Sequence, residues 1–252
     1  MVHSFLLIGQ SNAAGRGFID EAQPLDNCDK RLKVLRNGRW HNMFRPINPD
    51  RPFSGTCFAE RFAKEYALAN PELEVGIIPC ADGGTAIEQW QPGELLFENA
   101  VNCAKLAMRT SALVGVLWHQ GESDCTPERC PHYIERFKVI MDALRKELGI
   151  PDLPILVGGI GDFIVDYKPS EKYLANYVKI NEQLQALGRE YPHCRFVSAE
   201  GLGSNADNLH FSAEALEEFG LRYYNEFQKM ARPKIATQNI QDDTARTELE
   251  QL

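Results

Sequence analysis

The 252-residue chain is 44% hydrophobic, enough for one large core, and its 27 basic against 35 acidic residues give a formal net charge of -8. Acidic residues spread along the whole length argue against a polyanion-binding face, which excludes nucleic acid as an expected partner. No stretch approaches a membrane-spanning helix, the run MVHSFLLIG is short for a secretory leader and lacks its basic flank, and seven cysteines is an odd number, with Cys57, Cys80 and Cys103 set among apolar neighbours; the expectation is a cytoplasmic, reducing setting with no membrane partner.

Along the chain, a first apolar β-rich run covers residues 4–8. Residues 17–54 are irregular and rich in Pro, Asn, Asp and Arg, and read as a long loop flanking the site, with one candidate short strand at 32–36. Helical periodicity over 57–69 leads to a strand at 73–79, a helix near 95–108, a strand at 113–119 and a helix at 133–148. A strand at 154–158, a helix at 171–190 and a strand at 195–199 follow. The last helix is expected over 213–230 with Ser212 as its N-cap. Strands that alternate with helices and read as continuous apolar runs predict an α/β fold: a three-layer α/β/α sandwich with a central parallel sheet of about five strands. Residues 1–232 are expected to form a single domain, and the polar segment 233–252 a frayed or helical tail. Ligands of such sheets bind beyond the carboxyl ends of the strands, so the residues there are the ones to read for chemistry.

The first strand runs into LLIGQSNAAGRG, residues 6–17. A Walker loop fails because five residues separate Gly9 from Gly15 and Arg16 stands where lysine is needed. The dinucleotide fingerprint fails at Gln10 and Ser11, and the G-x-S-x-G elbow fails at Ala13. Ser11 at a helix start is either an ordinary N-cap or a nucleophile set where backbone N–H groups converge. The other strand ends bear on that choice. CADGGTAIEQW offers Gly83 and Gly84 for close main-chain approach, WHQGESD is dense in polar groups, and DNLHFS sets Asp207 three residues before His210. A serine hydroxyl needs a base to accept its proton; His210 is the candidate, with Asp207 orienting its ring. Cys125, Cys130 and His132 have a C-x4-C-x-H spacing that matches no common zinc knuckle, so neither a metal nor another cofactor is expected.

These four blocks resemble the SGNH, or GDSL-like, hydrolase superfamily, and more closely its branch of carbohydrate esterase family 6 and sialate O-acetylesterase-like domains. The resemblance covers Leu6 to about Phe211 and departs at Ala13, where the family often has methionine. It implies a flavodoxin-like fold and a serine esterase that removes O-acetyl groups from an acetylated carbohydrate, a xylan fragment or a sialic acid, through an acyl-enzyme. Other acyl esters or thioesters, and a non-catalytic carbohydrate-binding role, are the alternatives. The resemblance further implies an oxyanion hole of the Ser11 and Gly84 backbone N–H groups and the Gln120 side-chain amide. Glu122 is expected to support the Ser11 loop through Asn12 or Arg16, and His119 to be structural. Trp90 either stacks on a sugar or fills the core. Asn27, Asn37 and Asn48 either meet substrate hydroxyls or face solvent in turns. The expected partner is a small-molecule or oligosaccharide acetyl ester.

Overall fold

Strand β1 (Val2–Gly9) is buried at every position, which requires cover on both faces of the sheet. Its alternation supplies the two cores. Phe5 and Leu7 join the apolar cluster that includes helices α2 (Phe58–Ala69) and α6 (Ala213–Gln228). Leu6 and Ile8 join the opposite cluster with α3 (Leu95–Ala107), α4 (Tyr133–Leu148) and α5 (Tyr177–Glu190). These elements come from a computed structural model that describes residues 1–25, 29–169 and 174–230.

The sheet has seven strands in the order β3-β2-β4-β1-β5-β6-β7. Strands β4 (Glu74–Pro79), β5 (Ser111–His119), β6 (Ile155–Gly158) and β7 (Cys194–Val197) match the expected parallel set around β1. Two further strands lie inside the segment 17–54, the first at the 32–36 expected for it and the second in chain expected to be loop. There β2 (Leu32–Arg36) pairs parallel with β4, and β3 (Arg39–Asn42) turns back antiparallel on β2. Asn37 and Gly38 make the turn with φ of 48° and 75°, the left-handed pair a two-residue hairpin demands. The hairpin carries Trp40 over Gly76, where a Cβ would lie 2.4 Å from the indole, so this sheet edge is packed rather than frayed.

Ser212 caps α6 by accepting the Ala215 N–H at 3.2 Å, and the helix closes at Gln228, two residues short of expectation. Helix α5 begins at Tyr177 rather than 171; the start expected for it, Asn27 and the tail 233–252 lie outside the described residues. Among the described residues no helix is long and apolar enough to cross a membrane. Strand β1 lies between β4 and β5, and the chain leaves it toward one edge of the sheet before crossing back to the other. Such a reversal opens a crevice at the carboxyl ends of the central strands.

Candidate active site

Strand β1 ends at Gly9, whose φ is 132° and whose Cβ, if present, would stand 2.0 Å from the His119 carbonyl oxygen. Only glycine lets β1 and β5 stay this close at the crevice. The chain then turns into the one-turn helix α1 (Ser11–Ala14), with the Gln10 carbonyl accepting from Ala13 and Ala14 at 2.9 Å. Ser11 therefore sits at a helix start, its hydroxyl facing the crevice and the N–H not donated to any described residue.

The segment before α6 brings the partners of Ser11. The Asp207 carboxylate accepts the backbone N–H of Leu209 at 2.9 Å and of His210 at 3.0 Å, closing a tight turn through Asn208 at φ 52°. Its second oxygen meets His210 Nδ1 at 2.7 Å, and His210 Nε2 lies 3.0 Å from Ser11 Oγ. With the Nδ1 proton facing the carboxylate, Nε2 turns its lone pair to the serine hydroxyl. Partial burial raises the Asp207 carboxyl, but the backbone and ring of His210 and the Leu209 N–H outweigh it, so the carboxyl lies below its usual value. An imidazole held this way can take a proton from a hydroxyl and return it to a leaving group.

Around this relay, Asn12 is 2% exposed and donates to Glu122 Oε1 at 2.6 Å and to the Leu209 carbonyl at 3.2 Å, while accepting the Phe211 N–H at 3.1 Å. Of the two partners expected for Glu122, the structure thus pairs it with Asn12. Arg16 instead grips Asp50 with two bonds of 3.0 and 2.7 Å. Burial raises the Asp50 carboxyl, yet Arg16, Ser54 and the Gly83 N–H together hold it below the usual range. The same Asp50 oxygen fixes Gly83 at 2.9 Å, and a methyl group on Gly83 would come within 2.4 Å of Arg16 and 3.5 Å of Ser11 Cβ. Gly84 follows at φ 78° with open space beside it and an N–H given to no described residue. His119 is fully buried, with Nε2 3.1 Å from the Gly159 carbonyl and the ring against Phe58, Phe211 and Phe219.

Ser11, His210, Gly83, Gly84 and Glu122 line one cleft of about 480 Å³, a size that suits a small ligand. Gln120 is not brought to it. That side chain is fully buried, and its Nε2 faces Asp124 at 2.6 Å, the Thr85 carbonyl at 3.0 Å and Gln10 Oε1 at 3.2 Å. Burial raises the carboxyl of Asp124, against the opposing pull of Gln120 and the Ile87 N–H. Trp90 is 1% exposed, bonds Thr85 through its indole and packs edge-on to Trp118, so it belongs to the core. Ala13 is likewise core rather than cleft wall, Asn37 lies in the hairpin turn, and Asn48 is spent on both main-chain groups of Ala81. Among the described residues no cluster of three or more His, Cys, Asp or Glu could hold a metal, and Cys125 turns its thiol to the Gly121 carbonyl.

Sequence reasoning passed over Gln10, Arg51, Phe53 and Arg129, all of which line the cleft, and Asp50, which anchors Gly83. Asp50 and the arginines carry no local motif. Gln10 was legible only as the neighbour of Ser11.

The arrangement has counterparts among known proteins. Residues 1–229 match the family described as carbohydrate esterase, sialic acid-specific acetylesterase. The probable carbohydrate esterase At4g34215 of Arabidopsis thaliana is 29% identical over 238 residues, 86% of each chain. A crystal structure of the Arabidopsis protein superposes with a TM-score of 0.77 at 27% identity, over 90% of this chain and 98% of that one. Two further structures share the fold. NanS has a TM-score of 0.69 at 18% identity, over 90% and 97% of the two chains. XAC1771, described as a carbohydrate acetylesterase from Xanthomonas citri, has 0.67 at 20%, over 91% of this chain and 56% of that one. A match that runs through every strand and every block of the cleft makes this chain a member of the sialic acid-specific acetylesterase family of carbohydrate esterases.

Proposed function

We propose that this chain is a serine esterase that removes O-acetyl groups from acetylated carbohydrates through an acyl-enzyme, in a single catalytic domain of residues 1–232. The observation that carries this reading is the relay of Asp207, His210 and Ser11, with contacts of 2.7 and 3.0 Å. Ser11 attacks the ester carbonyl as His210 Nε2 takes its proton, and Asp207 stabilises the imidazolium. The backbone N–H groups of Ser11 and Gly84 receive the oxyanion, each such donor supplying about 3 to 4 kcal/mol. His210 then protonates the departing sugar alkoxide. Water, deprotonated by the same nitrogen, releases acetate and frees Ser11.

A carbohydrate-binding protein without catalysis would need neither an ordered imidazole nor a buried serine at 3.0 Å from it, which favours the enzyme. The family description favours a sialic acid over a xylan fragment. The six described cysteines are free, which supports a reducing, cytoplasmic setting.

The test is hydrolysis of acetyl, butyryl and octanoyl esters, acetylated xylo-oligosaccharides and O-acetylated sialic acid by the purified protein and by Ser11→Ala. The reading expects acetyl release by the former and a loss of several orders of magnitude in kcat for the latter, with the fold intact. Wild-type hydrolysis by Ser11→Ala would rule it out.

A further inference from the structure

Two backbone donors serve the oxyanion in the scheme above, and the side-chain donor expected for it, Gln120, is spent on Asp124 and Thr85. A second glutamine lines the cleft that holds the nucleophile. Gln10 directly precedes Ser11, is 4% exposed, and lines the cleft beside Ser11, Gly84 and His210. Its backbone is pinned on both sides, the N–H to the His119 carbonyl at 2.9 Å and the C=O to the first turn of α1.

The side chain is pinned as well. Its amide oxygen accepts from Gln120 Nε2 at 3.2 Å and from the backbone N–H groups of Gly121 and Ser123 at 3.3 Å each. These donors settle which end of the amide is which, because the reversed group would set its own N–H bonds against three others. The nitrogen therefore points away from them, and no hydrogen bond joins Nε2 to any described residue. Nor is Nε2 one of the sealed polar atoms lacking a partner, a set that includes Gln120 Oε1, Glu122 Oε2 and Asp124 Oδ1. A nearly buried donor with no protein acceptor, on a residue that forms the cleft wall, is a donor kept for something inside the cleft.

We propose that Gln10 Nε2 is the side-chain oxyanion donor of this enzyme, taking the part that Gln120 cannot. The proposal rests on the esterase reading. As Ser11 Oγ bonds to the carbonyl carbon, the carbonyl π pair moves onto oxygen and the hydroxyl proton goes to His210 Nε2. The charged oxygen then accepts from the N–H groups of Ser11 and Gly84 and from Gln10 Nε2. When that pair re-forms C=O, the bond to the sugar oxygen breaks and His210 returns the proton to it. Three donors converging on Gln10 Oε1 polarise the amide and fix its direction before substrate arrives, which is what an oxyanion donor requires.

Gln10→Glu separates the two halves of this side chain. It keeps the length and an oxygen for Gly121 and Ser123 but puts an acceptor where the donor was. The expected result is a kcat lower by about 10²- to 10³-fold with KM within about threefold, and an equal loss of affinity for a methylboronic acid adduct on Ser11, which mimics the tetrahedral intermediate. A folded Gln10→Glu with wild-type kcat and boronate affinity would overturn the proposal. The wild-type protein provides a check independent of folding. The Gln10 side-chain amide protons should move downfield in the ¹⁵N spectrum when the boronate binds, and an unmoved resonance overturns the assignment. Failure of the esterase reading looks different, since Ser11→Ala would then keep its activity.

Discussion

Replacing Asn12 with alanine removes one side chain that ties three segments together: the helix bearing Ser11, the loop after β5 through Glu122, and the turn bearing His210 through Leu209 and Phe211. The bond to the Glu122 carboxylate, at 2.6 Å, is of the charged kind that contributes about 1.5 to 3 kcal/mol. The buried Phe211 N–H loses its partner, at about 1 to 3 kcal/mol, and the half-buried Leu209 carbonyl loses a partner at a smaller cost. Water entering the vacated polar space restores part of this. The net expectation is a loss of about 3 to 4 kcal/mol, which for a chain of this size lowers Tm by about 6 to 16 °C. Leu209 and Phe211 flank His210, so the imidazole also drifts from Ser11, and a displacement near 1 Å costs on the order of 10²-fold in kcat. Denaturant unfolding, thermal melting and steady-state ester hydrolysis measure these together. A cycle with Glu122→Gln should show a coupling of about 1 kcal/mol or more, because the two side chains touch. If Asn12→Ala loses under about 1 kcal/mol and keeps its kcat, the three-way tie does not hold the relay and the reasoning fails.

Asp207→Asn should fold normally and lose on the order of 10⁴ in kcat, since an amide cannot stabilise the imidazolium; near-wild-type turnover would exclude Asp207 from the relay. Asp207 and Asp50 both have carboxyls lowered by their partners, so their stabilisation is fully present above the unfolded value near pH 4 and is lost as pH falls through the lower folded values. Acid unfolding should therefore be shallower in Asp50→Asn than in the wild type below roughly pH 4, as followed by circular dichroism. Along a series from acetyl to octanoyl esters, kcat/KM should fall steeply beyond propionyl, because each methylene forced against Gly83, which packs on Arg16 and Ser11, costs about 1 to 3 kcal/mol; a peak at octanoyl would contradict the short-acyl reading. Dialysis against a chelator should leave turnover unchanged, and a loss restored by zinc would refute the metal-free scheme.

Much of the architecture was present in the sequence, because burial on both faces of a parallel sheet leaves continuous apolar runs such as those of β1, β4 and β5. The juxtaposition of Asp207 and His210 was equally legible: three residues of chain confine both groups to one turn, so local spacing determines the contact. The β2–β3 hairpin also had its signal, Asn37-Gly38 between two strand-forming runs, inside a segment whose polarity disguised it. Tertiary structure alone decided between partners distant in the chain. Glu122 pairs with Asn12, 110 residues away, while Arg16 goes to Asp50. Gln10 and Gln120 are the same residue type at the ends of neighbouring strands, β1 and β5, and no pattern in the sequence says which faces the cleft. That outcome depends on Asp124, Thr85 and two backbone N–H groups gathering behind one amide or the other. Hydrogen bonds among buried polar groups are satisfied by whatever the packed sheet brings within reach, and only the folded chain sets that reach.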